Sequence, residues 1–174
     1  IYERGLEWLA QKQDADGSWK DGQQGSGVNG LCVMAFLASG EDPNFGRWAQ
    51  PVRKALRHMI NGQDETTGYL PNSMYHHGFA MLALAEAYGA VDESLLWQGG
   101  EKKNRSLAQA LTLAIGCSST SQKKNRWGGW RYSPDATDAD TSVTGAVLMG
   151  LLAARNAGMD VPDETVNAGL EYMR

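Results

Sequence analysis

Three carboxylates stand close together ahead of an apolar helix: Asp135, Asp138 and Asp140, followed by Thr141-Ser142 and an apolar run from Val143 to Ala157. Such a cluster can hold a cation, donate a proton or cap a helix. The spacing loosely suggests a calcium loop, but the glycine and closing glutamate of that loop are absent. As an N-cap, Asp140 would accept a bond from an amide of the helix beginning at Thr141, a position where aspartate is preferred. Thr144 lies one helical turn beyond Asp140 and shares its face. A second candidate group is His76-His77, at the start of another apolar helix. These imidazoles either bond loop backbone or serve a site, since histidine titrates near neutrality. His58 falls on an amphipathic segment and reads as a surface residue. Cys32 and Cys117 have neither zinc spacing nor a disulfide framework and read as buried small hydrophobes. No metal and no cofactor is expected.

The elements that carry these residues follow a simple pattern. Tyr2–Gln13 has apolar residues at helical spacing, and Asp14-Ala15-Asp16-Gly17 breaks it before Trp19. Gly25–Gly30 leads into Leu31–Ala38, apolar on nearly every face, so that helix should be buried on both sides. Pro51 opens a one-sided stripe of Val52, Ala55, Leu56, Met59 and Ile60, ended by Asn61-Gly62; Gly68-Tyr69 and an all-apolar helix, Tyr75–Tyr88, follow. Val91–Lys103 is irregular, with Leu95, Leu96 and Trp97 docking on the surface. A third stripe, Leu107 to Ala114, is read as ending at Gly116, with Ser118–Arg126 a polar loop. The acidic turn and its helix come next, and a seventh helix runs over Glu164–Arg174.

The chain is a repeat. Gly5-Leu6-Glu7-Trp8-Leu9 superposes on Ala55-Leu56-Arg57-His58-Met59 and on Gly169-Leu170-Glu171-Tyr172-Met173. Amphipathic helices alternate with apolar ones at a spacing that fits helix-pair repeats, and no segment shows sustained strand alternation, so the fold class is all-α. We place the repeats at about residues 1–49, 50–103, 104–163 and 164–174, the last partial, in one domain. Aligning the apolar helices on Gly30, Gly78 and Gly145 puts Asn29, His77 and Thr144 at one position and Gly25, Ser73 and Asp140 at another. If those helices run the same way, Asn29, Ser73, His77, Asp140 and Thr144 should form a polar rim above an apolar cavity, with His76 as the alternative to His77.

One stretch carries a family resemblance. Arg4-Gly5-Leu6-Glu7-Trp8-Leu9-Ala10-Gln11-Lys12-Gln13, running on to Gly17-Ser18-Trp19, resembles the QW motif of squalene–hopene cyclases and their relatives. Gln63 with Gly68-Tyr69, and Gln122 with Gly129-Trp130, are degraded copies. The chain is similar to bacterial prenyltransferase and squalene oxidase repeat proteins of the terpenoid cyclase and protein prenyltransferase toroid superfamily. The resemblance implies an α/α toroid of helix-pair repeats, of which this chain would be about half a ring. That reads as a piece of a longer array, or as a half-ring completed by a second copy as a homodimer. It implies that Gln13, Trp19, Gln63, Tyr69 and Trp130 are structural staples. It also implies that Asp138-Ala139-Asp140-Thr141-Ser142 stands where class II terpene cyclases carry an Asp-x-Asp-Asp-Thr acid. In such isomerases a protonated carboxyl starts cyclisation of an isoprenoid. Asp140 would be the acid, Asp138 its neighbour, and His77 or His76 a polarising partner, although Thr141 replaces the second adjacent aspartate. The alternative is a non-catalytic module that binds a peptide, lipid or partner domain.

Composition narrows the partners. At 174 residues and a net charge of −4, the chain has one-domain length and no general attraction to nucleic acid. Lys102-Lys103-Arg105 and Lys123-Lys124-Arg126 read as solvated loop charges. No apolar run is long enough to span a bilayer and no stretch reads as a signal peptide, so the cytosol or the periphery of a membrane is expected.

Overall fold

The computed structural model describes residues 1–20, 25–98 and 105–174. The described residues form helices and no strand: α1 (Tyr2–Lys12), α2 (Ser26–Leu37), α3 (Ala49–Gly62), α4 (Met74–Ala87), α5 (Glu93–Leu96), α6 (Leu107–Gln122), α7 (Thr141–Asn156) and α8 (Asp163–Tyr172). Lys102, Lys103 and Asn104, assigned above to a loop and to the start of the third repeat, lie outside the described residues.

Two rows result. The apolar helices α2, α4 and α7 pack side by side, with α4 in the middle, while α3, α6 and α8 pack against them from one helix to the next. Glycines set the close approach within the apolar row. A methyl added at Gly30 would lie 2.5 Å from the Phe79 carbonyl oxygen, and one added at Gly78 would lie 2.5 Å from the backbone of Ala146. Gly27 meets His76 and Gly30 meets Ala80; Gly78 meets Val147 and Gly150 meets Met81. Residue numbers rise together across both contacts, so the three helices are parallel and their N-termini lie at one end.

Two readings need correction. Gly116 does not end α6, which continues to Gln122 because Cys117, Ser118, Ser121 and Gln122 are buried and hold that stretch in place. A single glycine inside a helix is a modest cost that such packing overrides. Leu96 does not rest on the surface: it is fully buried on α5, a single turn capped by Asp92, and its carbonyl accepts from Arg57 at 2.7 Å.

Candidate functional site

The site is best built from the turns outward. After α1, α3 and α6 a glycine with positive φ reverses the chain: Gly17, Gly68 and Gly128, at φ of 90°, 74° and 78°. A side chain there would be strained, and it would also press on the backbone carbonyl of Lys54 on α3, Leu113 on α6 or Ala168 on α8. A glutamine ends the helix before each turn and ties both neighbours down. Gln13 Nε2 donates to the Gly17 carbonyl at 3.1 Å and to the Pro51 carbonyl at 2.9 Å. Gln63 donates to Gly68 at 2.8 Å and Ala110 at 2.9 Å. Gln122 donates to Gly128 and, at 2.9 Å, to Thr165. In each case the carbonyl reached by glutamine stands one helical turn before the one faced by glycine, so the three repeats share one seam.

The residue two places after each glycine is then fixed from the apolar row. Trp19 N–H donates to Asn29 Oδ1 at 3.0 Å, Leu70 N–H to His77 Nδ1 at 3.0 Å and Trp130 N–H to Thr144 Oγ1 at 3.0 Å. The alignment of Asn29, His77 and Thr144 is thus correct, but their role differs from expectation. They are buried at the seam between turn and helix rather than gathered on a polar rim. Their shared work is to satisfy an amide that burial would otherwise leave unpaired.

The same geometry corrects Tyr69. Leu70, not Tyr69, occupies the place of Trp19 and Trp130, because the staple aromatic follows the positive-φ glycine by two residues rather than one. Trp19 Nε1 donates to the Leu9 carbonyl at 2.8 Å and Trp130 Nε1 to the Ser118 carbonyl at 2.9 Å. Leu70 can make no such bond. Tyr69 stacks on His77 with ring centroids 5.8 Å apart.

His77 covers for that loss. Its Nδ1 accepts from Leu70, so the neutral ring carries its proton on Nε2, which lies 3.1 Å from both the Ala114 carbonyl and Ser118 Oγ on α6. Burial pushes its pKa down to about 4. Both nitrogens are committed to backbone and hydroxyl partners. His76 packs against Gly25 and Gly27 at the start of α2; burial lowers its pKa, and its Nδ1 has no hydrogen-bond partner among the described residues.

Gly25, Ser73 and Asp140 are the N-cap residues of α2, α4 and α7. Ser73 Oγ accepts from His76 N–H at 3.3 Å. Asp140 Oδ1 accepts from the Ser142 hydroxyl at 2.6 Å and from Val143 N–H at 3.0 Å. The hydroxyl first, then the helix amide, holds the Asp140 carboxyl below the ordinary aspartate range. A protonating acid needs the opposite shift. Asp138 is solvent-exposed and pairs with Arg131 at 3.0 Å, and Asp135 pairs with Lys124. The acidic turn is therefore three carboxylates with three separate partners, and the described residues include no cluster of His, Cys, Asp and Glu that could hold a metal ion.

The hollows flank these residues separately: Asp135 borders one, and Asn29 lines a small one of about 240 Å³ with Trp19 and His58. A groove of about 600 Å³ runs between the second turn and α6, bordered by Thr66, Tyr69, Leu113, Gly116, Cys117 and Lys124. A shallower dip of about 450 Å³ at the helix starts is lined by Ser73, Tyr75, His76, Tyr132 and Ser142. Of the expected rim, only Ser73 and His76 border that dip. The Ser118 hydroxyl and Leu70 are the seam residues that sequence reading missed. The spacing of Gly17 to Trp19 and of Gly128 to Trp130 was the available signal for Leu70. Among the described residues no helix is long and apolar enough to cross a membrane. The chain matches no protein-family model, and no curated protein matches it significantly.

Proposed function

We propose that this chain is a non-catalytic helix-pair repeat module on the plan of the α/α toroids, a stapled scaffold that presents a face to another macromolecule. The observation that carries this reading is the fate of the polar residues. Asn29, His77 and Thr144 make one repeated bond to a turn amide, and Asp140 is a helix cap held ionised. An acid-initiated cyclase would need Asp140 protonated and turned towards an apolar cavity, with a histidine free to polarise it. Here His77 has spent both nitrogens on the seam. The parallel apolar row with a second row beside it supports the toroid plan, and the resemblance of Arg4–Trp19 to the cyclase repeat points the same way. Three repeats joined by glutamine staples form a stiff unit, since each staple ties two carbonyls with one amide, buried at Gln63 and Gln122 and half-buried at Gln13.

Incubation of the chain with squalene and with shorter polyprenyl substrates tests the reading. No cyclised product is expected by gas chromatography with mass detection. A cyclised product that disappears in Asp140→Asn would overturn it.

A further inference from the structure

The seam between a turn and the following outer helix borders the same hollow twice, and the two copies differ. The glutamine contacts make Pro51 equivalent to Ala110, and the turn glycines make Gly17 equivalent to Gly68. In that register Ser18, His58 and Gly62 of the small hollow correspond to Tyr69, Cys117 and Ser121 of the groove beside α6. The first holds about 240 Å³ and the second about 600 Å³. Their helix walls differ most. Lys54, Arg57 and Asn61 on α3 stand where α6 carries Leu113, Gly116 and Thr120. On the other outer helices the equivalents of Gly116 are Glu7, Arg57 and Glu171, all charged. Nothing in the packing asks for glycine at this place. It lies inside α6, where glycine weakens a helix relative to alanine, and a methyl added to it would meet nothing within 4 Å. Its effect is to leave the groove open.

We infer that this groove is a binding site for a small uncharged aromatic molecule that carries one hydroxyl or carbonyl group. Its volume lies within the range of small-molecule sites, about 300–1,000 Å³. Its walls are Tyr69 from the second turn, Leu113 and Gly116 on α6, and Pro134 from the third turn, so a flat ring would pack between rings and short side chains. Ser121 supplies the polar contact. It borders the groove at 5% exposure, and no hydrogen bond among the described residues reaches its hydroxyl. A buried hydroxyl left unpaired carries a penalty, which a bonded ligand group removes. A hydroxyl donates and accepts, so a hydroxyl or a carbonyl on the ligand serves equally. Charge is excluded by the lining. Burial pushes the Cys117 thiol up to about 11 and the Tyr69 phenol up to about 12, which keeps both neutral. Lys124 and Asp135 at the rim pair with each other, and α6 has no charged residue from Leu107 to Gln122. A charged ligand would give up water there without gaining a counter-ion. The site stands apart from the module reading above and holds whether or not the chain presents a face to another macromolecule.

The test is isothermal titration of the intact chain with β-naphthol, a flat uncharged ring system with one hydroxyl. Saturable binding is expected. Gly116→Leu, which fills open space at an exposed helical position and leaves the chain folded, should weaken it about tenfold. Ser121→Ala removes an unbonded hydroxyl without adding bulk and should weaken it about fivefold. Gly5→Leu makes the same change at an open position on α1 and should leave binding as it is. β-Naphthalenesulfonate, the same ring system with a negative charge, should bind about tenfold more weakly than β-naphthol. Absence of saturable binding, binding indifferent to both Gly116→Leu and Ser121→Ala, or an equal loss in Gly5→Leu would each overturn the inference. A sulfonate that binds as tightly as the naphthol would overturn it as well, because the ligand class would then be anionic.

Discussion

In the third repeat the seam is crossed by Trp130: its indole N–H reaches the Ser118 carbonyl while Thr144 takes its backbone N–H. In the second repeat that position is Leu70, which has no side-chain donor, and the crossing is made from the other side. His77 accepts from Leu70 with one nitrogen and reaches the Ala114 carbonyl and Ser118 hydroxyl with the other. Threonine suffices beside tryptophan; beside leucine the partner must be a ring long enough to accept and donate at once. The histidine is therefore explained by its neighbour in the turn, and needs no substrate to account for it.

This contrast can be broken in several ways. The largest effect should come from His77→Ala, which leaves the Leu70 amide unpaired and opens a cavity in the core, at a cost of about 4 kcal/mol in urea unfolding. Thr144→Ala should cost about 1.5 kcal/mol, since Trp130 keeps its own bond to Ser118. Equal losses would refute the division of labour.

Next comes pH. The folded chain holds His77 at about 4, below the ordinary histidine value of 6.5, so the folded state resists protonation. The stability this residue contributes is complete above pH 6.5 and is lost as pH falls from there through 4, about 3 kcal/mol in all. His77→Asn keeps an acceptor for Leu70 but cannot titrate, so its stability should change much less between pH 6.5 and 4.5. An unchanged slope in that variant would place the titration elsewhere.

The glycines sharpen the comparison further. Gly68→Ala meets both strain at φ of 74° and the Leu113 carbonyl, and should cost about 2 kcal/mol. In the third repeat the nearest atom, the Ala168 carbonyl oxygen, is 2.9 Å from the added methyl, so Gly128→Ala should cost about 1 kcal/mol, the difference being readable from urea midpoints. The smallest effect belongs to the acidic turn. Asp140→Ala should cost about 1 kcal/mol and Asp140→Asn a few tenths, as for an ordinary cap, again by urea unfolding.

Much of this was legible in the residues. Helical periodicity and the absence of strand alternation point to the all-helical fold. The glycine alignment groups Asn29 with His77 and Thr144, and Gly25 with Ser73 and Asp140, as the structure does. What the alignment lacks is direction. A polar residue in the first turn of an apolar helix can face the open end or turn back to the loop that precedes it, and both choices have one spacing. Burial decides for the loop, because the turn amides of Trp19, Leu70 and Trp130 require acceptors there. Tyr69 misled because an aromatic beside a glycine is conspicuous, whereas the leucine that holds the equivalent place is not. Gly116 misled because a glycine marks a helix end only where packing does not carry the helix on.

The most direct test of the account is the carbon-13 titration of the Asp140 carboxyl in the intact chain. A helix cap bonded to the Ser142 hydroxyl and the Val143 amide should titrate below the ordinary aspartate value of 3.8. A carboxyl that stays protonated to near neutrality would contradict the account and return Asp140 to the role of an acid.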